Sequence, residues 1–336
     1  MILAADIGGT NARFALFQPV NHSLEMVDLH KYPSRQLTSL PEATTDYLRK
    51  NNLWQSEKIK AAWFSLAGPI SGDNCRFTNL ELTVDLASLR EQLGFIPIVG
   101  WSNDLVALGY GISVLPDRAL HLLSGKALNE ELLNSVSLNS GPLNRAVIAP
   151  GTGLGESLII GGQVYPTEGA HADFAPQVEE DLELWRFLHR RYGHVSYERL
   201  LSGEGLTNIY DFLRDRDEVK GNGEAAFKDL SPQEISNKAL AKECRLCVEA
   251  LHIFVRLLGA EAGNLALKSF AQGGVYLGGG IPPKIIDKLK DGTFQAAFAD
   301  KGRFSNFLAE IPVYLILEEN TPLLGAAHLA LRRTLA

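Results

Sequence analysis

The stretch that decides the fold is ADIGGTNARFALF, residues 5–17. An apolar run, residues 2–5, leads to Asp6, two glycines follow shortly after it, and a second apolar run covers residues 14–17. Strand, Gly-rich turn and strand is the pattern of a β-hairpin. A dinucleotide-binding turn and a Walker loop both place a helix after the glycines, so the stretch predicts neither of them.

The turn of this hairpin carries groups that suit a phosphate. Gly8 and Gly9 have no Cβ, so backbone N–H groups there can approach an anion closely. Thr10 and Asn11 add side-chain donors. Asp6 stands at the strand end, where a carboxylate could hold Mg²⁺ through water. The alternative is an ordinary hairpin with a glycine turn, but a carboxylate in a buried strand is costly for a turn with no further role.

The opening pattern recurs near the middle of the chain. RAVIAP (145–150) predicts a strand, GTGLG (151–155) a Gly-rich turn, and ESLII (156–160) and QVYP (163–166) two further strands. Glu156 stands where the dinucleotide-binding fingerprint requires a small residue, so that fingerprint is not met. Two copies of one unit predict two related halves. Strand signals alternate with helix signals along the chain, which predicts an α/β fold.

The composition is that of a globular protein, since 46% of the 336 residues are hydrophobic and 21% are charged. A chain of this length accommodates two domains. The net charge of −7 disfavours nucleic acids and anionic membrane surfaces as partners. The sequence shows no signal-peptide pattern and no long apolar run, so we expect a cytoplasmic protein. Three cysteines fit a reducing compartment, and the pair in CRLC (244–247) is interpreted as part of a helix.

The second half of the chain is predicted to be mostly helical. Apolar residues recur at helical spacing over 234–270, which indicates one long helix or two. The polar stretch 214–223 predicts an exposed loop within this region.

A polar pair follows the strand predicted over 98–101. Asn103 and Asp104 stand where that strand gives way to a helix. In one interpretation Asp104 caps the helix by accepting backbone N–H groups. In the other, Asp104 is a general base near a sugar hydroxyl and Asn103 is a neighbouring hydrogen-bond partner. One residue could serve both purposes.

A second polar group lies in and after TEGAHADFAP (167–176). Taken individually, Glu168 and Glu198 fit the pattern of surface acids, and His171 fits that of a loop histidine. Together they suit a polyol, because carboxylates accept from hydroxyls and an imidazole donates or accepts. A catalytic zinc site is disfavoured, because no third ligand has the required spacing. Further along, Gly278–Gly280 follow a strand and either form a turn or let a flat ring or ribose lie on the backbone.

Taken in order, these motifs resemble those of the bacterial glucokinases, a family within the actin-like sugar kinase superfamily. The match runs from Asp6 to the C-terminal helix, and EGxHxDFAP and the first hairpin are its most specific motifs. The resemblance implies an α/β fold of two actin-like (ribonuclease H-like) domains with a cleft between them. The implied domains are 1–114 plus 322–336, and 115–321. The implied reaction is phosphorylation of glucose at the 6-hydroxyl by ATP with Mg²⁺, feeding glycolysis, in a homodimer.

The resemblance also implies roles residue by residue. Asp104 would be the base for the 6-hydroxyl, and Asp6 would help to hold Mg²⁺ through water. The residues implied to bind glucose are Asn103, Asp104, Gly151, Glu168, His171 and Glu198. The residues implied to hold the nucleotide are Asp6, Gly8, Gly9, Thr10, Asn11, Thr152, Gly153, Gly278, Gly279 and Gly280.

The chain departs from the family pattern at three positions. Leu82 stands where the family often has Trp, Leu105 where it often has an aromatic residue, and Pro150 where a small residue is usual. None of these removes a polar group of the implied site, and Asn79 is a further residue that could reach the sugar. They leave open a related kinase that acts on mannose, fructose or an N-acetylhexosamine, or that uses polyphosphate.

Three other classes are disfavoured by single features. Amino-sugar kinases of the related family usually carry a zinc-binding cysteine cluster near the histidine, and no cysteine lies between Cys75 and Cys244. Sugar-responsive regulators carry an N-terminal helix-turn-helix domain, whereas the first strand here is predicted from residue 2. A non-catalytic scaffold of this fold has no use for the polar set around Asp104 and Glu168.

Overall fold

The chain is described by a computed structural model that covers residues 1–20, 23–37, 39–77, 83–127, 143–220 and 227–335. It divides into two compact units. The first unit consists of Met1–Ala119 and Glu318–Ala336, and the second of Leu120–Leu317. The functional domain boundaries given above stay a prediction.

The first unit is built on a five-stranded sheet, and it also contains a small three-stranded sheet. Its strands are β1 Ile2–Ile7, β2 Asn11–Val20, β3 Ser23–Pro33, β4 Ala61–Leu66, β5 Ile70–Ser71, β6 Asn74–Arg76, β7 Thr83–Asp85 and β8 Ile98–Asn103. The large sheet has the order β3-β2-β1-β4-β8. β1 and β2 pair antiparallel, which confirms the predicted hairpin. β1, β4 and β8 run parallel, so their carboxyl ends lie at one edge of the sheet.

The second unit repeats this arrangement. Its strands are β9 Leu120–Ser124, β10 Arg145–Pro150, β11 Leu154–Ile160, β12 Gln163–Thr167, β13 Val275–Leu277 and β14 Val313–Ile316. The order is β12-β11-β10-β13-β14-β9. As in the first unit, the two hairpin pairings are antiparallel and the next two pairings are parallel. The internal symmetry predicted from the two Gly-rich turns is confirmed.

Helices connect and cover the strands. In chain order they are α1 Leu40–Lys50, α2 Leu86–Gln92, α3 Asp104–Ile112, α4 Glu179–Tyr192, α5 Gly203–Lys220, α6 Pro232–Leu240, α7 Arg245–Ser269, α8 Ile286–Leu289, α9 Thr293–Ala299, α10 Ser305–Glu310 and α11 Thr321–Leu335. The segment expected to hold one or two helices forms two, α6 and α7. In the described part of the chain, no helix is both long and apolar enough to cross a membrane.

Each unit has its own core. In the first unit α11 packs on the sheet, where Leu323 and Ala327 lie in one buried cluster with Ile2 and Phe17. In the second unit the 25-residue helix α7 is buried on most of its surface. Burial of one large apolar side chain contributes about 1.5–3 kcal/mol, so these clusters hold the helices firmly against their sheets.

The prediction of a loop over 214–223 is wrong for residues 214–220, because these residues continue α5 to Lys220. Residues 221–223 lie outside the described part of the chain. The polar side chains of this stretch find partners on neighbouring helices. Arg216 pairs with Glu180 at 2.7 Å and with Glu249. Asp217 pairs with Arg245. These ion pairs lie between helices, and a polar composition alone does not reveal them.

The cysteine pair lies at a helix start, as the helical interpretation predicts. Cys244 is the N-cap of α7, and its Sγ accepts a 3.3 Å hydrogen bond from the backbone N–H of Cys247. Cys247 is buried in the core of the second unit.

Candidate functional site

Asp6 lies in β1, one residue before the strand ends, and its carboxyl group is buried. The Ser65 hydroxyl donates to Oδ1 over 2.9 Å. Arg13 Nη1 lies 4.0 Å from Oδ2. Burial raises the pKa of Asp6, and the Ser65 hydrogen bond and the Arg13 charge oppose that shift. Ser65 and Arg13 therefore offset only part of the cost of burying the charged Asp6 carboxylate. A bound metal ion would stabilise that charge.

Sequence reasoning missed both partners of Asp6. Ser65 is the polar residue within the apolar strand AAWFSL and stands directly beside Asp6 in the parallel register. A hydroxyl in a buried strand that needs a partner was the available signal. Arg13 lies opposite Asp6 across the hairpin, which the alternation of β2 would have indicated.

The turn after β1 is held by local hydrogen bonds. The Gly8 N–H donates to the Asn11 carbonyl over 3.0 Å. Ser34 fixes the turn from the side, because its hydroxyl donates to the Gly8 carbonyl over 2.6 Å and its N–H to the Thr10 carbonyl over 2.9 Å. A Cβ on Gly8 would lie 3.3 Å from the Asn11 carbonyl oxygen. The glycine is therefore used here for close approach rather than for a left-handed backbone.

Asn103 and Asp104 stand at the carboxyl end of β8, where α3 begins. The cap is Asn103 rather than Asp104: its Oδ1 accepts from the Leu105 N–H over 2.9 Å. Asp104 Oδ1 shares the same N–H at 3.0 Å. Asp104 also acts on the buried Cys75, whose pKa is raised to about 11 by burial and then by the Asp104 charge. The helix cap predicted for Asp104 is thus provided by Asn103, and Asp104 is the first residue of the helix.

The second Gly-rich turn, Gly151–Gly153, lies between β10 and β11. It closes on itself through a 2.8 Å hydrogen bond from the Gly151 N–H to the Gly153 carbonyl. The Gly203 N–H donates to the Gly151 carbonyl over 2.9 Å, which ties the turn to the start of α5. Just after the turn, the Leu154 N–H donates to Glu198 Oε2 over 3.0 Å. The end of the turn and the Glu198 carboxylate are therefore joined directly by a hydrogen bond.

Glu168, His171 and Glu198 come together, as the sequence predicts. His171 Nε2 lies 3.8 Å from Glu168 Oε2, and His171 Nδ1 lies 4.0 Å from Glu198 Oε1. Glu168 and His171 belong to a tight turn in which the His171 N–H donates to the Glu168 carbonyl over 3.0 Å. Their side chains are 76% and 56% exposed, whereas that of Glu198 is 32% exposed. An imidazole between two carboxylates at an open surface can exchange hydrogen bonds with several hydroxyls.

The glycines after β13 lie beside the second Gly-rich turn. The Gly278 N–H donates to the Ile148 carbonyl over 2.9 Å. Gly279 has φ +80°, and a Cβ there would lie 2.3 Å from the Pro150 carbonyl oxygen, so this position requires glycine. A Cβ on Gly151 would lie 3.9 Å from the Gly280 nitrogen. The second unit thus brings the second turn, the three glycines and the polar set into one region.

The residues proposed for binding are therefore found as two groups, one in each unit. Asp6, Asn103 and Asp104 lie at the carboxyl ends of parallel strands, the usual ligand-binding edge of such sheets. Among the described residues, no group of three or more His, Cys, Asp or Glu side chains could hold a metal ion by itself. Asn79 and Leu82 lie outside the described residues.

A family model described as Glucokinase matches residues 3–333 of this chain. The chain belongs to the glucokinase family. The glucokinase of Chromobacterium violaceum is 38% identical over 98% of this chain and 89% of its own length. That of Nostoc punctiforme is 37% identical over 99% of both chains.

Solved glucokinase structures have the same fold. The glucokinase from an Antarctic psychrotroph superposes with a TM-score of 0.81 and 32% identity, over 98% of both chains. The Balamuthia mandrillaris glucokinase, solved in complex with glucose, has a TM-score of 0.78 and 22% identity over 98% of this chain and 93% of its own. The predicted family, the enzyme class and the actin-like sugar kinase fold are confirmed.

Proposed function

We propose that this chain transfers the terminal phosphoryl group of ATP to the 6-hydroxyl of glucose, giving glucose 6-phosphate and ADP. The observation that carries the proposal is the grouping of Glu168, His171 and Glu198 next to the Gly-rich turn 151–153. This grouping offers hydrogen bonds for hydroxyls beside a glycine turn, where the missing side chains let a phosphate approach the backbone closely. Two relatives support the ligands, since the Balamuthia glucokinase was solved with glucose and a Streptomyces griseus glucokinase with glucose and AMPPNP.

Asp104 is proposed as the base. It accepts the proton of the 6-hydroxyl while the oxygen forms its bond to phosphorus and the bond from phosphorus to ADP breaks. Its position at the first turn of α3 fixes the carboxylate, which already accepts the Leu105 N–H. Asn103, Gly151, Glu168, His171 and Glu198 hold the sugar, so that one hydroxyl is placed for the transfer.

The phosphates are proposed to lie against the two Gly-rich turns and the adenosine against Gly278–Gly280. The contributing residues are Gly8, Gly9, Thr10, Asn11, Thr152 and Gly153. Asp6 fits a Mg²⁺ that accompanies ATP, because it is a buried carboxylate whose charge is only partly compensated. When bound, the ion neutralises phosphate charge.

The test is sugar-dependent formation of sugar phosphate by the purified protein, with ADP release followed as well when ATP is the donor. Glucose, mannose, fructose, galactose and N-acetylglucosamine are compared, each with Mg-ATP, with Mg-polyphosphate as a second donor and with a chelator. We expect turnover with glucose and Mg-ATP, and its loss with the chelator. Preference for another sugar or donor would move the substrate assignment, and no turnover with any pair would refute the proposed activity.

The cellular setting is part of the same proposal. We propose a homodimer that works in the cytoplasm and supplies glycolysis with its phosphorylated sugar. The mass of the purified protein by light scattering tests the dimer, since a monomer at assay concentration would contradict it.

A further inference from the structure

Glu156 is a buried carboxyl group that the proposed reaction does not use. It lies in β11 and is 2% exposed. Within the described part of the chain, its Oε1 has no hydrogen-bond donor. Its Oε2 lies against Gly169, where an added Cβ would come within 2.2 Å of that oxygen. The carboxyl group therefore lies directly beneath the turn Gly169–His171.

Several charged and titratable groups face this carboxyl group. Glu261 of α7 is fully buried and acts on Glu156 electrostatically, as does Lys268, two turns further along the same helix. Lys301 and Tyr197 in turn lie close enough to Glu261 to interact with it. The turn above Glu156 carries the exposed side chains of Glu168 and His171.

The compensating groups serve Glu261 rather than Glu156. Asn264 Nδ2 donates to Glu261 Oε2 over 2.8 Å. Lys268 Nζ lies 3.6 Å from Glu261 Oε1. Two carboxylates in one buried region cannot both be charged without such partners. Because the amide and the lysine lie beside Glu261, we expect Glu156 to hold a proton that the two carboxyl groups compete for.

We propose that Glu156 is a positioning residue for sugar binding: its buried carboxyl group, which lies against Gly169, supports the turn that carries Glu168 and His171. The inference rests on the proposed function in that it takes this turn as part of the sugar site. It assigns Glu156 no contact with the substrate.

The link from Glu156 to the turn is continuous. Its carbonyl accepts from the Thr167 hydroxyl over 3.2 Å, and the Gly169 N–H donates to the same Thr167 oxygen over 3.2 Å. Two residues before Glu156, Leu154 holds the Glu198 carboxylate. One segment of β11 therefore supports both the turn and the third polar group of the sugar site.

Ionisation of Glu156 would disturb this support. Burial, and secondarily the charge of Glu261, raise the pKa of Glu156 to about 8, while Lys268 opposes the shift. We therefore expect the Glu156 carboxyl group to be mostly neutral at pH 7 and to become charged in mildly alkaline solution. A second buried negative charge draws in water or a cation, and the turn above it has to move.

The first measurement needs neither substrate nor activity. Amide hydrogen exchange of residues 167–172 is followed in the ligand-free protein at pH 7 and pH 9, corrected for the intrinsic pH dependence. We expect the wild type to lose protection at pH 9 and Glu156→Gln, which mimics the neutral acid, to keep it. Glu183→Gln on the exposed face of α4 is the matched control and should behave as the wild type. Equal protection of wild type and Glu156→Gln at both pH values would overturn the proposal.

The second measurement separates binding from turnover. The KM for glucose and kcat are recorded from pH 6.5 to 9.5. If only the neutral form binds, the wild-type KM rises about tenfold by pH 9, and kcat changes less. Glu156→Gln should show a flat KM, and Glu261→Gln, which removes the neighbouring charge, should shift the rise to lower pH. A KM that Glu156→Gln raises equally at every pH would show a packing role only and overturn the inference.

The two proposals fail in distinguishable ways. A wild-type protein inactive with every sugar and donor would refute the kinase proposal, and the exchange experiment would still report on Glu156. An active wild type with identical pH profiles in Glu156→Gln would refute the positioning role alone.

Discussion

The backbone N–H of Leu154 donates a 3.0 Å hydrogen bond to Oε2 of Glu198, which lies 44 residues later in the chain. This bond joins the Gly-rich turn 151–153 to a carboxylate of the proposed sugar site. The elements proposed to bind phosphate and sugar are therefore directly linked within the second unit. A change in the turn should alter the sugar affinity as well as the nucleotide affinity.

Gly153→Ala tests that connection. A Cβ at this position would lie 2.5 Å from Glu198 Oε2, so the carboxylate must move away from the Leu154 N–H. Loss of one charge-assisted hydrogen bond costs about 1.5–3 kcal/mol, so we expect the KM for glucose to rise about 10- to 100-fold. Gly203→Ala is the matched control, since its Cβ would meet Pro232 at 3.5 Å and the Gly151 carbonyl at 3.6 Å, ordinary contact distances. Unchanged glucose affinity in Gly153→Ala would contradict the link.

Asp104→Ala tests the base. Without an acceptor for the hydroxyl proton, kcat should fall by about two to four orders of magnitude, as the loss of a general base commonly produces. The thermal unfolding temperature should change little, because Asn103 still caps α3. Asp46→Ala on the exposed face of α1 serves as the control. Near-normal kcat in a folded Asp104→Ala protein would remove Asp104 from the mechanism.

Gly325→Ala tests how α3 is held in place. A Cβ on Gly325 would lie 1.7 Å from the Ala107 carbonyl oxygen, so α11 and α3 must separate. Overpacking of this kind costs about 1–3 kcal/mol of unfolding free energy. Denaturant unfolding measures the loss, and kcat should fall as well, because Asp104 opens α3. Arg333→Ala, exposed on the same helix, should leave both quantities near the wild-type values.

The Glu156 carboxyl group should make the unfolding free energy depend on pH. The unfolded chain releases this proton near pH 4.5, whereas the folded protein holds it to about pH 8. Between these values the folded state binds the extra proton, so stability falls as pH rises. The total loss is about 5 kcal/mol at ~1.4 kcal/mol per pH unit.

Glu156→Gln isolates this contribution. Denaturant unfolding at pH 5, 6, 7 and 8 should show a steeper decline in the wild type than in the variant. The comparison concerns the slope, because the Gln amide changes the absolute stability by its own hydrogen bonding. Parallel slopes in the two proteins would mean that Glu156 is already charged in the folded state at neutral pH.

Much of the fold follows from local sequence pattern. The Gly8 turn and the Gly151 turn are each bounded by short apolar runs, and such hairpins are recognisable without knowledge of the rest of the chain. The polar set of Glu168, His171 and Glu198 is predicted because carboxylates and an imidazole together suit a polyol, and because the family resemblance implies that these residues bind the sugar. Their mutual distances could not be derived, since they depend on how β12 and the segment before α5 meet.

The residues that sequence reasoning missed share one property. Ser65 and Ser34 act only through a bond to another element, Ser65 to the Asp6 carboxylate and Ser34 to the Gly8 carbonyl. Glu156 was noted only for interrupting a fingerprint, because neither its burial nor its neighbour Glu261 is visible along the chain. The helix over 214–220 was missed for the same reason, since its partners lie on other helices. Contacts distant in sequence decide each of these cases.

The C-terminal helix α11 also sets an order of events during synthesis. The first sheet leaves the ribosome early, but the side chains that cover it, among them Leu323 and Ala327, are translated only after the whole second unit. The nascent chain therefore carries an uncovered apolar face around Ile2 and Phe17 while the continuous second unit can already fold. Chaperones should engage that face until translation reaches α11, and early termination should leave an aggregation-prone fragment.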